Sequence, residues 1–230
     1  MAKVAVLIDG GFLLKRLPSL AVGFDRHDAD AVAKRIRLIV SRHLEKINEV
    51  ACVENKWSLL YRAFYYDARP YSDRGHLPVS RKSIDYSKTD EARFRNQLFN
   101  LLRQSPNFAV RLGEVRKAMD RSWILSGKAQ GDLLSGQRTA SDLTDADFAP
   151  ALTQKGVDMR IGIDMASLAL KQQVDAIVLV TGDSDFVPAA KLVRREGVRI
   201  ILDPLWQNVD DALFEHIDAV YSGIAKGGKT

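Results

Sequence analysis

The stretch VDAIVLVTGDSDFV, Val174 to Val187, decides how the chain is read. Ala176 to Val180 is a short, continuous, β-branched apolar run, the pattern of a strand buried on both faces. Gly182 breaks it, and Asp183 or Ser184 is placed to cap the amphipathic helix expected over Phe186 to Glu196. Strand, acidic turn and helix make half of a βαβ unit. In open parallel sheets, sites form just beyond the carboxyl ends of the strands, where Asp183 and Asp185 would stand. Lys3 to Ile8 (KVAVLI) repeats the pattern, and Asp9-Gly10-Gly11 follows at once. Each aspartate alone also suits a cap or a turn; two such turns together point to a shared site.

The bounds agree. The chain has 230 residues and 46% hydrophobic content, enough for one domain with a sizeable insertion. No apolar run approaches the roughly 20 residues of a membrane span, and the N-terminus reads as a strand rather than a signal peptide. One cysteine, Cys52, excludes an intrachain disulfide and fits a reducing cytoplasm. The net charge of +5 and pI of about 9.3 are compatible with a polyanionic partner without requiring one. No membrane association is expected, and a homodimer is allowed.

Outward from the two turns, Val22 to Asp30 reads as loop. A long helix over Ala31 to Asn48, capped by Asp30, carries His43 as a half-buried residue. Trp57 to Tyr66 is a second strand, ending at Asp67. Arg69 to Lys88 is polar and loop-like, with Arg69, Arg74, Arg81 and Lys82 available to a phosphate backbone if it overhangs the site, or simply solvated if it does not. Thr89 to Gln104 is a helix. Phe108 to Arg116 alternates as a strand that Trp123 to Leu125 would join as a hairpin. Ser126 to Thr144, rich in Gly, Ser, Gln and Asp, is the segment expected to be mobile. Gln154 to Met165 enters a helix through Gly156, with Asp158 at the N-cap position and Asp164 among Ile161, Ile163, Met165 and Leu168. A lone carboxylate on a buried helix face is costly unless paired or metal-bound, which marks Asp164. Val198 to Leu202 is a further strand, and Val209 to Ile217 a helix with Leu213, Phe214 and Ile217 inward. The tail from Gly223 to Thr230 matches GxxxxGK[ST] in letters only, because no helix follows to present its amides.

Five acids, Asp9, Asp158, Asp164, Asp183 and Asp185, would then gather over the middle of one sheet. Carboxylates so placed repel one another, and a hard divalent cation, Mg²⁺ or Mn²⁺, relieves this. The chain offers no rival metal set: no paired cysteines, no HExxH, and four scattered histidines.

LIDGGFL at Leu7 to Leu13, KGVDMRIGIDM at Lys155 to Met165 and VTGDSDFVPAAKLVRREG at Val180 to Gly197 resemble the NYN domain, LabA-like branch, of the PIN-like nuclease superfamily. The resemblance implies a single domain over 1–230, a three-layer α/β/α sandwich around a mostly parallel sheet (PIN-like, Rossmann-like), with a variable insertion at about 69–153. It implies a metal-dependent endoribonuclease in which Asp9, Asp158, Asp164, Asp183 and Asp185 are catalytic and Asp9, Asp164, Asp183 and Asp185 hold the metal. Thr181 would orient a ligand or water, and Lys155, Arg160 and Arg69 would hold RNA. Many members carry Asn shortly after the first Asp-Gly; here Gly11 and Phe12 stand in those places. The competing expectation is a module that binds RNA or a protein without cutting, its acids serving as caps or for a structural ion. A phosphatase is disfavoured because no DxD follows the first strand.

Overall fold

The computed structural model describes residues 2–20, 25, 27–120 and 122–226. Much of the expected loop after Leu20, and residues 227–230 of the tail, lie outside the described residues. In chain order the elements are β1 (Val4–Asp9), α1 (Gly10–Leu20), α2 (Ala29–Ala51), β2 (Leu60–Ala68), β3 (Arg74–His76), β4 (Ser83–Asp85), α3 (Asp90–Arg103), β5 (Phe108–Lys117), β6 (Trp123–Leu125) and α4 (Gly127–Leu134). These are followed by β7 (Phe148–Pro150), β8 (Leu152–Lys155), α5 (Val157–Leu170), β9 (Ala176–Val180), α6 (Val187–Arg195), β10 (Arg199–Asp203), α7 (Asp211–Phe214) and β11 (Ala219–Val220).

Among the described residues the central sheet has seven strands in the order β11-β10-β9-β1-β2-β5-β8. All neighbours pair in parallel except β8, which runs antiparallel on the β5 edge. Because side chains alternate along a strand, each central strand feeds two cores. Val4, Val6, Ile8 and Tyr65 pack with Leu13, Ile36, Ile39, Leu98 and Phe99 from α1, α2 and α3. Ala5, Leu7, Phe64 and Tyr66 pack with Ile161, Met165, Ala190 and Val193 from α5 and α6. The result is the expected α/β/α sandwich. Among the described residues no helix is long and apolar enough to cross a membrane.

Several local expectations give way. The cap of α2 is Asp28, whose carboxylate accepts from the Asp30 and Ala31 amides at 3.0 Å, so the helix starts two residues early. His43 is buried rather than half-buried, its Nε2 2.9 Å from the buried Asp203 carboxylate. Asp203 also accepts from the Leu205 and Gly223 amides, so it fixes the chain beyond β10. β6 pairs with β7, not β5, because β8 takes that edge of β5. The C-terminal helix is only Asp211–Phe214, and Phe214 is 59% exposed.

The span expected as a variable insertion is built, not loose, and it contributes α3 and β5 to the sandwich itself. Two short hairpins, β3–β4 and β6–β7, are tied together by Asp145, which accepts from the Val79 and Ser80 amides at 2.9 and 3.1 Å. The span expected to be mobile contains α4 and Arg138, whose guanidinium holds Asp147 through two 2.8 Å bonds and donates to the Asp142 carbonyl. Such fork-to-fork pairing fixes geometry as well as charge.

Candidate active site

β1 is the switch point of the sheet. From it the chain steps outward to β2 and β5 on one side, then returns to place β9 and β10 on the other. The crevice between the carboxyl ends of β1 and β9 is where sheets of this kind bind ligands. Asp9 closes β1 and Thr181 follows β9, with Ile8 and Val180 in register just before them. Gly10 turns the chain tightly here: a Cβ at this position would stand 2.5 Å from the Tyr65 ring and 2.6 Å from the Tyr66 carbonyl oxygen. Any larger residue would push the start of α1, and Asp9 with it, off the sheet.

The Asp9 carboxylate accepts from the Phe12 amide at 3.0 Å and from the buried Thr181 hydroxyl at 3.4 Å. The same hydroxyl accepts from the Asp183 amide at 3.3 Å, and Asp183 accepts from the Asp185 amide at 2.9 Å. Thr181 thus joins the two acidic turns. Asp183 caps the short turn of helix that precedes α6, so it fills the structural role and stands at the site together.

The electrostatics mark the group. Burial, reinforced by Asp158, pushes the Asp9 carboxyl up to about 6, against the lowering effect of the Phe12 amide. Asp158 is also raised, by partial burial and then by the charges of Asp183 and Asp185. Asp158 is thus the acid that links the two turns electrostatically: it acts on Asp9, as Asp67 also does, and the Asp183 and Asp185 charges act on it. Among the described residues none of Asp9, Asp158, Asp183 and Asp185 is in an ion pair with a lysine or arginine. Asp9 and Asp183 edge a groove of about 630 Å³, to which Lys15, Gln207 and Asn208 add side chains that the sequence did not single out.

Asp164 is held elsewhere. Its carboxylate accepts from the Tyr66 hydroxyl at 2.9 Å and pairs with Arg111 Nε at 3.3 Å. Asp158 is not an N-cap: Gly156, at φ 74°, caps α5, and Asp158 lies in its first turn. The six residues between the two acids correspond to roughly 9 Å along the helix axis. Asp67, at the end of β2, is fully buried and paired with Arg95 of α3, which also binds Glu91; burial still outweighs the pairing and raises its carboxyl. Arg69 and Arg160 both act on Glu114, whose carboxyl is held down first by its hydrogen bond to Arg116. Lys155 is the register partner of Glu114 on β8, so the three expected RNA-binding cations cluster at that edge. Arg160 also donates to the Gly156 carbonyl at 2.6 Å.

The donors of the group, carboxylates and a hydroxyl, are the hard oxygens that Mg²⁺ or Mn²⁺ prefers. Two acids raised first by burial and then by neighbouring carboxylates, and held in no ion pair, are chemically suited to a cation. Yet among the described residues no three acidic, histidine or cysteine side chains stand close enough to share an ion.

The NYN domain family model matches residues 114–213. The match spans less than half of the chain. It begins in β5 and ends in α7, taking in Asp158, Asp164, Thr181, Asp183 and Asp185 and leaving out Asp9. An uncharacterized protein of Methanocaldococcus jannaschii, MJ0482, is 24% identical over 104 residues, 45% of this chain and 42% of that one, so the match spans less than half of the relative's length. A solved structure of a protein of unknown function from Vibrio parahaemolyticus, VPA0982, is similar over 96% of this chain and 92% of that one, with a TM-score of 0.46 and 14% identity. The matched stretch supplies one wall of the crevice, β9 and the start of α5. The central strand β1 and its Asp9 come from the segment before it.

Proposed function

We propose that the protein is an endoribonuclease of the NYN domain's LabA-like branch, which hydrolyses RNA phosphodiester bonds with the help of Mg²⁺ or Mn²⁺. NYN domains belong among the PIN-like nucleases, and that affinity supports a hydrolytic role. The observation that carries the reading is Asp9: a largely buried acid at the switch point, raised to about 6, joined to the Asp183 turn through Thr181 in one groove, with Asp158 acting on it and no cation paired to it. A group so poised accepts a proton near neutral pH, as a general base must. Asp9, Asp183 and Asp185, with Asp158, would hold the metal, which when bound would neutralise the crevice and activate water. Thr181 fixes the Asp9 carboxylate, and Lys155, Arg160 and Arg69 hold the flanking phosphates. Asp164 acts through Tyr66 and Arg111 as a positioning residue for α5. Hydrolysis on this scheme leaves 5′-phosphate and 3′-hydroxyl ends. The lone, exposed Cys52 thiol suits a reducing cytoplasm.

A second reading, an RNA-binding module that does not cut, is favoured by the spacing of the acids, no three of which share an ion position among the described residues. One assay separates the two. Labelled single-stranded RNA is incubated with the protein in Mn²⁺, Mg²⁺ or chelator, beside Asp9→Asn and Asp183→Asn variants. Metal-dependent cutting that both variants lose is the expected result. Binding without cutting in every condition selects the module, and cutting that survives both substitutions refutes the site.

A further inference from the structure

The inserted segment encloses a cavity of about 460 Å³ between α3, the two hairpins and β8. That volume lies within the range of small-ligand pockets. Its walls are aromatic: Tyr71 and Tyr86, packed edge to face at 5.1 Å, with Trp123 and Phe148. Polar groups enter at Glu91, Arg95 and Gln154. A second cavity of about 300 Å³ shares Tyr71, Tyr86 and Trp123 and carries Arg74, His76, Arg81 and Lys117. Flat apolar walls beside a basic rim are the combination that holds single-stranded nucleic acid, bases on the rings and phosphates on the cations.

The cavity also opens toward the acids. Glu91 and Arg95 line a third hollow together with Gly11 and Lys15, and Gly11 and Lys15 border the acidic groove in turn. A Cβ on Gly11 would lie 3.4 Å from Asp9 Oδ1 and 3.6 Å from Gln154 Oε1. Gln154 therefore reaches from the aromatic cavity to the edge of the candidate active site.

We infer that this cavity is a nucleobase pocket that takes one base of a single-stranded RNA whose backbone crosses the Asp9 groove, with Arg74, Arg81 and Lys117 holding adjacent phosphates. The inference rests on the nuclease reading above and extends it to how the strand is held. Tyr71, Tyr86 and Trp123 stack on the base, and the Gln154 amide is placed to meet its edge. Backbone cations alone would bind any strand equally. The pocket makes binding depend on a base being present.

The test uses the full chain in chelator, so that nothing is cut, and fluorescence anisotropy with two labelled oligoribonucleotides of equal length, one bearing bases and one abasic. The base-bearing strand is expected to bind about tenfold tighter or more, the effect of a lost base–aromatic stack. Tyr86→Leu should abolish that difference and leave the affinity for the abasic strand and its salt dependence unchanged. Tight binding of both strands with no difference, or a difference that survives Tyr86→Leu and Trp123→Leu, overturns the pocket and leaves the nuclease reading standing. Binding of neither strand overturns both. Should the leucine variants fail to fold, adenosine 5′-monophosphate is titrated into the native protein and into Trp123→Phe. Quenching present in the first and lost in the second supports the pocket, and equal quenching in both refutes it.

Discussion

Replacing the acid at the centre of the site should stabilise the protein. The Asp9 carboxyl is raised from 3.8 to about 6 in the fold. The native state therefore holds the Asp9 proton more tightly than the unfolded chain does. Stability from this group is greatest below pH 4 and is lost as pH rises through about 6. Each pKa unit corresponds to about 1.4 kcal/mol, so a shift of roughly two units costs the native state about 3 kcal/mol at pH 8. Asn keeps the amide oxygen that accepts from Phe12 and carries no charge. Asp9→Asn should thus gain about 3 kcal/mol at pH 8 and less than about 1 kcal/mol at pH 4. Urea unfolding at the two pH values, with m-values compared, measures the difference directly. The same variant should lose its cutting activity. A variant that is no more stable than the native protein at pH 8, or equally stabilised at both pH values, refutes the claim that Asp9 stands buried and uncompensated.

Two further substitutions test the frame around the site. His43→Ala leaves the fully buried Asp203 carboxylate with only its backbone donors. It should cost about 3 kcal/mol in urea unfolding, as breaking a buried pair does, and a loss below about 1 kcal/mol would mean the pair is not what holds the end of β10. Gly10→Ala places a methyl group within 2.6 Å of the Tyr66 carbonyl oxygen and should destabilise by about 1–3 kcal/mol. RNA cutting by Gly10→Ala should fall more than tenfold while its affinity in chelator holds, because Asp9 moves and the phosphate contacts do not.

The sheet was legible because its central strands are buried on both faces. Val4 to Ile8 and Ala176 to Val180 carry nothing polar, and the first acid after each run falls where a parallel strand meets its helix. What the sequence hid is who pairs with whom. Tyr66 and Asp164 are 98 residues apart, Asp67 and Arg95 28, and His43 and Asp203 160. No periodicity announces such pairs, so the sequence marks Asp164, conspicuous in its apolar run, without showing that Tyr66 and Arg111 meet it. The strand expected at Trp123 to Leu125 was given the wrong partner for a related reason. Three-residue strands that find partners about 25 residues away, as β6 finds β7, leave no alternating signal.

Sorting the acids by partner narrows the site more than proximity does. Three carboxylates end central strands, Asp9, Asp67 and Asp203, and a fourth, Asp164, lies half-buried on α5 beside them. Asp67 has Arg95, Asp164 has Arg111 and the Tyr66 hydroxyl, and Asp203 has His43 with two backbone amides. A fold that merely needed polar strand ends would have treated Asp9 the same way. Instead it surrounds Asp9 with Asp158 and the Asp183 turn and gives it one amide and one hydroxyl. That arrangement lowers stability, and it is retained at the one crevice where the order of strands reverses. Unpaired charge at a switch point is what a site for a cationic ligand requires, and the three acids given side-chain partners nearby are what a site for structure alone would have looked like.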